Sequence, residues 1–445
     1  MAPRANASYN PEVSAPTIIV GGGLAGLSCA HHLEGAREVY ERQTSIGGVA
    51  RSHRRQGYTH DCTGHWLHLR DDGIRRLVES LFGAELLSVE RISEIHSHGV
   101  RTPYPFQANT HGLPTDVVAE CVLGFFAARE KQARGEFPEP SSFEDFIRQR
   151  MGDGIAKHFM IPYNTKLWTV PPSEISCAWT GRFVPVPTAE EVVRGALTPS
   201  GARGLGYNSS FLYPRDGGIG ALPERLGRGM NVRTKAAVVE VDWRAKTVRL
   251  DNGECRRYRA MVSTMPLPDL VAALLNPPDH VARAATALRA TTVTYWDVGV
   301  ARTNEEGDAH WIYFPEPDVP FYRAGSASAA VPSLAPPGHR SYYVETSHPR
   351  GTPCPSGDQE IIDGLRGVGL LKPDEEPVLF ERMTIDCAYV IMDDEYGEAR
   401  ETILAWLEEQ RILSVGRYGS WIYDSMEGAM IQGRNAAQAV AGWSL

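Results

Sequence analysis

The residues with the most chemistry in this chain lie between positions 21 and 65: a G-x-G-x-x-G pattern on Gly21, Gly23 and Gly26, a carboxylate at Glu41, a second glycine pair at Gly47 and Gly48, then Arg51 and His65. In such a pattern the first glycine permits a tight turn, the second lets the backbone approach a pyrophosphate, and the third lets a helix pack closely on a strand. The helix start then offers free N–H groups and a partial positive charge to phosphates. Glu41, about twenty residues on, is placed to accept hydrogen bonds from a ribose. The continuation Ser45-Ile46-Gly47-Gly48-Val49-Ala50-Arg51 favours FAD over NAD, because a second glycine pair brings backbone to the other side of the pyrophosphate and Arg51 adds a charge-assisted bond.

These groups need a strand before the turn and a helix after it. Thr17 to Val20 is a buried-strand run, Leu24, Leu27, Ala30 and Leu33 recur at helical spacing, and Glu38 to Glu41 is a second strand, which completes βαβ and predicts an open α/β sheet. From about 113 to 166 the pattern is helical, with Val117, Val118, Cys121, Val122 and Phe125 in register and a capping box in Ser141-Ser142-Phe143-Glu144. Residues 230 to 264 read as strands, with Asp251-Asn252-Gly253 as hairpin turn. Residues 291 to 346 are rich in aromatic and β-branched residues and read as a second, antiparallel sheet, interrupted by an Ala, Ser, Pro and Gly rich loop at 325 to 339 expected to be mobile. Helices are expected near 358 to 371, 398 to 411 and 427 to 442.

The whole is therefore expected to be α/β: a Rossmann-like FAD-binding domain (16–84, 205–290 and 412–445), an inserted helical lobe (110–166), an antiparallel β-sheet substrate domain (85–109, 167–204 and 291–411) and a disordered leader (1–15). A chain of 445 residues is long enough to bury a bulky cofactor. It carries 42% hydrophobic and 22% charged residues, with no run of about 18 apolar residues to cross a membrane and no signal-like start, so a soluble, cytoplasmic protein is expected. The formal charge of -9 argues against a nucleic-acid surface. Seven dispersed cysteines without a C-x-x-C pair suggest reduced thiols rather than a disulfide framework or a thiolate metal site. The cluster His53, His60, His65, His68, Asp61 and Cys62 fits no familiar ligand spacing, and no metal is expected.

From Gly64-His65-Trp66 onward the chain resembles the UDP-galactopyranose mutase family, closest to its eukaryotic-type members, within the larger group of amine oxidase and protoporphyrinogen oxidase-like flavoproteins. The stretches that carry the resemblance are GGVARS with TGHWLH, TPYPFQAN, YNTKLWTVPPSEISCAW, YFPEPDVPFYRA and GRYGSWIY. It implies a non-redox pyranose-furanose ring contraction of a nucleotide sugar, in which N5 of reduced FAD attacks the anomeric carbon and holds the sugar as an N5 adduct; NADPH or NADH is the implied reductant. Among site residues it implies His65 against the flavin and Arg323 on the diphosphate as the catalytic pair. Gly64, Arg42, Val238, Arg417 and Met426 join Gly21, Gly23, Gly26, Glu41, Gly48 and Arg51 on the cofactor side. Tyr104, Gln107, Asn164, Trp168, Arg182, Tyr313, Tyr396 and Tyr423 join Arg323 on the substrate side. A homo-oligomer is left open.

The chain departs from the family pattern in two places. The arginine expected after the C-x-W stretch stands one place early, at Arg182, and the stretch before the last helix is shorter and acidic, so that Asp424 and Glu427 would repel a diphosphate if they faced it. An FAD-dependent oxidase or dehydrogenase of another small molecule, and a flavin-stabilised binding protein without turnover, therefore remain alternatives.

Overall fold

The computed structural model describes residues 15–177, 179–180, 184–199, 210–305 and 308–443. Arg182 and all but the last residue of the expected leader lie outside them. The first strand, Thr17–Val20, is buried along its whole length, as an apolar run between two parallel neighbours must be. It pairs with Arg37–Tyr40 on one side and Ala260–Ser263 on the other, and Ile412–Ser414 and Val232–Arg233 extend the parallel sheet at its edges. The helix Leu24–His32 between the first two strands completes the right-handed crossover unit, and the C-terminal helix Met426–Gly442 packs beside it. A three-stranded antiparallel ribbon, Val238–Asp242, Thr247–Leu250 and Cys255–Arg257, turns at Gly253 with φ +86° as the Asp-Asn-Gly signal requires.

The second sheet has eight strands. Its long members Arg289–Val300, Arg340–Pro349 and Leu379–Ile385 pair antiparallel, but Trp311–Tyr313 joins Ser93–Ser97 in parallel, so the sheet is antiparallel with one parallel joint. The helical lobe comprises Thr115–Ala133, Phe143–Ile155, a π-helical turn Ala156–Met160 and Ile161–Trp168. Its capping box is made by Ser142 with Asp145, because only the third helical residue reaches back to the cap.

Three expectations are corrected. Leu86–Glu90, expected in the substrate sheet, instead pairs with Ser210–Pro214 in a separate ribbon. The stretch 167–204 contributes helices and no strand among its described residues. The loop 325–339 is not loose: it holds the helix Ala327–Ala330, Ser326 and Ser328 are fully buried, and Ser328 Oγ accepts from Ser341 N at 2.9 Å. Small residues there allow close packing against the sheet rather than freedom. No helix among the described residues is long and apolar enough to cross a membrane.

Candidate functional site

The glycine turn leaves room for a ligand only where a ligand would need it. Gly21 holds φ +104°, and a Cβ there would strike Thr264 Oγ1 at 2.0 Å. A Cβ on Gly26 would strike Gly21 O at 2.0 Å, so the third glycine is a packing requirement of helix on turn. A Cβ on Gly23, by contrast, meets nothing closer than Gly48 Cα at 3.8 Å. The two glycine segments run side by side, with Gly47 N donating to Gly22 O at 2.8 Å, and both face the uncapped start of helix Leu24–His32, whose first turn carries no acid. A backbone-lined cradle beside free helical N–H groups fits a pyrophosphate. Glu41 sits at its rim, buried, its carboxylate accepting from Gly22 N and Gln43 N at 2.7 Å each. Ala236 N donates to Glu41 O, which brings the strand that starts at Val238 beside Glu41, whereas Arg42 is exposed. Arg51 lies against the Cys62 thiol, and Met426 packs against the apolar cluster around Leu24.

His65 follows Gly64, whose missing Cβ admits the Tyr343 hydroxyl at 2.5 Å. Its Nδ1 is buried without a partner. Burial, and then the guanidinium charges of Arg417 and Arg323, push the imidazole down to about 4, so it is neutral at ordinary pH. Arg417 donates to Asp424 O at 2.8 Å and Ala388 O at 3.1 Å while its Nε is buried and unpartnered. Two buried nitrogens left without a partner close together, His65 Nδ1 and Arg417 Nε, fit a polar group such as a flavin held beside them.

The opposite wall is a single row across the second sheet. Register places Tyr313 opposite Arg323, Arg323 opposite Glu345, and Glu345 opposite Tyr295, so their side chains share one face. Arg323 donates to Glu345 Oε2 from Nη2 at 2.5 Å and from Nε at 3.1 Å, and to the Tyr389 hydroxyl at 3.2 Å; Tyr322 donates to the same carboxylate. Arg91 donates to the Tyr313 hydroxyl at 3.2 Å and lies 5.1 Å over Tyr104 and 4.8 Å over Trp311, while Arg323 covers Trp311 at 4.8 Å. Arg417 sits 4.8 Å over Tyr423 and 5.1 Å over Tyr389. Tyr104 stacks on Tyr313 at 5.2 Å, and Trp168 meets Tyr389 at 5.6 Å and Tyr423 at 6.0 Å. Three guanidinium groups thus stack on one connected set of aromatic rings. Burial raises the Tyr423 hydroxyl, and Arg417 and Arg323 pull against that rise.

The structure brings together His65, Arg323, Tyr104, Trp168, Tyr313, Tyr423 and Arg417. It does not bring Tyr396 there: that hydroxyl donates to Trp421 O at 2.7 Å, and Tyr389, seven residues earlier, holds the place beside Arg323. Gln107 is buried with its amide bound to Pro185 O, and the Asn164 amide donates back to Met160 O, each at 2.7 Å. The expected acidic repulsion is absent for Glu427, which is buried with its carboxylate capping Arg70 N and Asp71 N. Asp424 is spent on Ser425 N and the Gln432 amide. Among the described residues no group of three His, Cys, Asp or Glu could hold a metal ion, and His53 and His60 instead flank the buried Asp297.

Sequence reasoning missed Arg91, Tyr389 and Glu345. Glu345 left a signal, since a lone carboxylate inside the buried strand RSYYVETS must find a cation; Arg91 lies in no motif and left none.

The fold is that of a crystal structure of reduced UDP-galactopyranose mutase, with a TM-score of 0.91 and 27% identity over 97% of this chain and 94% of that one. A putrescine oxidase matches with a TM-score of 0.68 and 16% identity over 96% of this chain and 98% of that one. A fatty acid isomerase from P. acnes matches with 0.65 and 11% over 96% and 98%. The family model of flavin containing amine oxidoreductases covers residues 24–441, and the chain belongs to that family.

Proposed function

We propose that this flavoprotein is a nucleotide-sugar mutase that interconverts pyranose and furanose forms, with reduced FAD as cofactor and NADPH or NADH as the reductant. The observation that carries the reading is the charge of the substrate wall: Arg91, Arg323 and Arg417 stack on its rings, and the one carboxylate in the row, Glu345, is already committed to Arg323. An amine substrate would meet like charge in a water-poor cleft, which costs several kcal/mol; a diphosphate would meet its complement. Reduced flavin supplies a nucleophilic nitrogen when bound.

The chain's own groups supply the rest. Arg323, with the hydroxyls of Tyr389 and Tyr313, holds the diphosphate and stabilises it as the leaving group. Tyr423 adds a donor, and Trp168 and Asn164 lie on the side of the base and ribose. Neutral His65, its Nδ1 buried and unpartnered, offers the flavin one hydrogen bond without adding charge. The aromatic rings keep water from a reactive sugar. In domain terms we assign the parallel sheet and its ribbon to the cofactor and the eight-stranded sheet to the substrate.

The test is chromatographic. Protein reduced with dithionite under argon is incubated with UDP-galactopyranose and the furanose isomer is separated; turnover is expected in the reduced protein and absent in the oxidised one. No isomer from any of a panel of nucleotide sugars, together with bleaching of oxidised flavin by a small molecule in the absence of reductant, would replace the mutase by an oxidase.

A further inference from the structure

Lys166 belongs to helix Ile161–Trp168, the segment that carries Asn164 and Trp168. Its ammonium points across to the connection between the strands of Tyr313 and Arg323, and donates to four backbone carbonyls there: Phe314 at 2.9 Å, Glu316 at 2.8 Å, Val319 at 2.9 Å and Phe321 at 2.8 Å. A primary ammonium has three protons, so four oxygens at equal reach treat it as a central cation rather than as a set of separate donors. The connection begins one residue after Tyr313 and ends two before Arg323, so the cage spans its whole length from Phe314 to Phe321. Asp318 and Glu316 add negative charge nearby, opposing the cost of burial to the ammonium.

The strands themselves are short. Trp311–Tyr313 and Arg323–Gly325 share two register pairs, and the connection between them is tied further by Phe314 N to Tyr322 O at 3.0 Å and by Thr346 Oγ1 to Pro320 O at 2.9 Å. The lobe helix is fixed independently, with Trp168 fully buried among Trp179, Tyr389 and Tyr423. One ammonium therefore ties together two walls that also meet through the rings of Tyr163, Tyr313 and Tyr322.

We infer that Lys166 is a positioning residue: its ammonium fills a four-carbonyl cage that locks the base-side helix to the loop between Tyr313 and Arg323, and so sets the spacing between base and diphosphate grips. This rests on the nucleotide-sugar reading of the site. The cage converges on a point, which suits a compact ammonium or a bare monovalent cation and not the planar fork of arginine.

The experiment uses full-length holoenzyme and UDP as probe, with affinity read from perturbation of the flavin spectrum. Wild type is measured first: if it does not bind UDP, the nucleotide-sugar reading fails and not this inference. Given binding, Lys166→Met, similar in length but uncharged, is expected to keep its flavin and to loosen UDP about tenfold, with no recovery in any salt because the thioether side chain plugs the cage. Lys166→Arg is expected to loosen it similarly. Lys166→Ala opens the cage, and about 0.1 M KCl or methylammonium chloride is expected to restore UDP affinity to within about threefold of wild type, whereas tetramethylammonium chloride at the same ionic strength is not. Met binding UDP within twofold of wild type overturns the inference, as does an Ala variant that responds alike to all three salts. If Lys166→Met fails to fold, Lys166→Ala in KCl decides, and its failure to recover, folding included, also overturns it.

Discussion

Replacing Glu345 by Gln leaves a side chain of the same shape whose oxygen still accepts from Arg323, and removes one charge. At 3.1 Å and an effective dielectric of about 20 the lost attraction is about 5 kcal/mol, while the guanidinium stays desolvated, being 9% exposed. Breaking such pairs from one side costs about 3–5 kcal/mol, and the retained acceptor places this variant near 3. For 445 residues an unfolding entropy of about 2.1 cal/mol/K per residue sums to about 0.9 kcal/mol/K, so Tm falls by about 3 °C. The flavin's own fluorescence reports the transition. The second half of the measurement adds UDP: in the variant a diphosphate supplies the counter-charge that Glu345 no longer does, so the UDP-induced rise in Tm is expected to exceed the wild-type rise by about 1–2 °C. A variant whose Tm lies within 1 °C of wild type, or whose response to UDP is no larger, would show that Arg323 neither depends on Glu345 nor faces the diphosphate.

Five further outcomes are expected. Gly23→Ala should purify without flavin and melt with wild type stripped of its flavin, since its Cβ enters open space beside Gly48, whereas Gly26→Ala, whose Cβ meets Gly21 O at 2.0 Å, should lose about 1–3 kcal/mol on thermal melting. Tyr389→Phe should loosen UDP about tenfold by removing an acceptor of Arg323, and Tyr396→Phe should lower stability by about 1 kcal/mol with UDP affinity unchanged; the reverse pattern in a spectral titration would restore Tyr396 to the site. His65 is held at about 4 against 6.5 when exposed, so the folded state resists its protonation and its share of stability, full above pH 6.5, is lost as pH falls from 6.5 toward 4. Melting of His65→Asn and wild type at pH 7.5 and 5 should therefore show a smaller acid loss in the variant, and equal losses would mean the imidazole is not shielded.

What the sequence made legible is what backbone geometry dictates locally. Gly21 and Gly26 are legible because each has its own steric reason, and the lobe helices because their apolar spacing survives burial. Lateral pairing is what local reading does not reach. Arg91 follows a strand that pairs with residues 210–214, more than a hundred positions away, and nothing near it announces Tyr313. Tyr389 and Tyr396 differ only in which of them the chain turns inward: Tyr389 precedes the short strand Val390–Ile391 that pairs with Arg289 and Ala290, while Tyr396 opens a helix whose buried face is Ala399, Ile403 and Leu407. The loop at 325–339 misled by composition, since alanine and serine serve equally for looseness and for close packing against a sheet.

On the proposed reading, the division of labour between the two walls explains how a family of oxidoreductases could hold a non-redox reaction. The glycine cradle, the helix start and Glu41 would serve a flavin in any reaction class, for on this reading they would hold only the shared part of the cofactor. On this reading reaction class is decided on the other wall, where Tyr313, Arg323 and Glu345 stand on adjacent strands in direct register. Stacking Arg323 and Arg91 on Trp311 fixes both guanidinium planes before a ligand arrives, which lowers the ordering cost of binding and leaves their charge poorly screened. A chain of net charge -9 thereby concentrates cations at the one place where an anionic leaving group would need them, and a change of sign in that row would redirect the chemistry without disturbing the flavin wall.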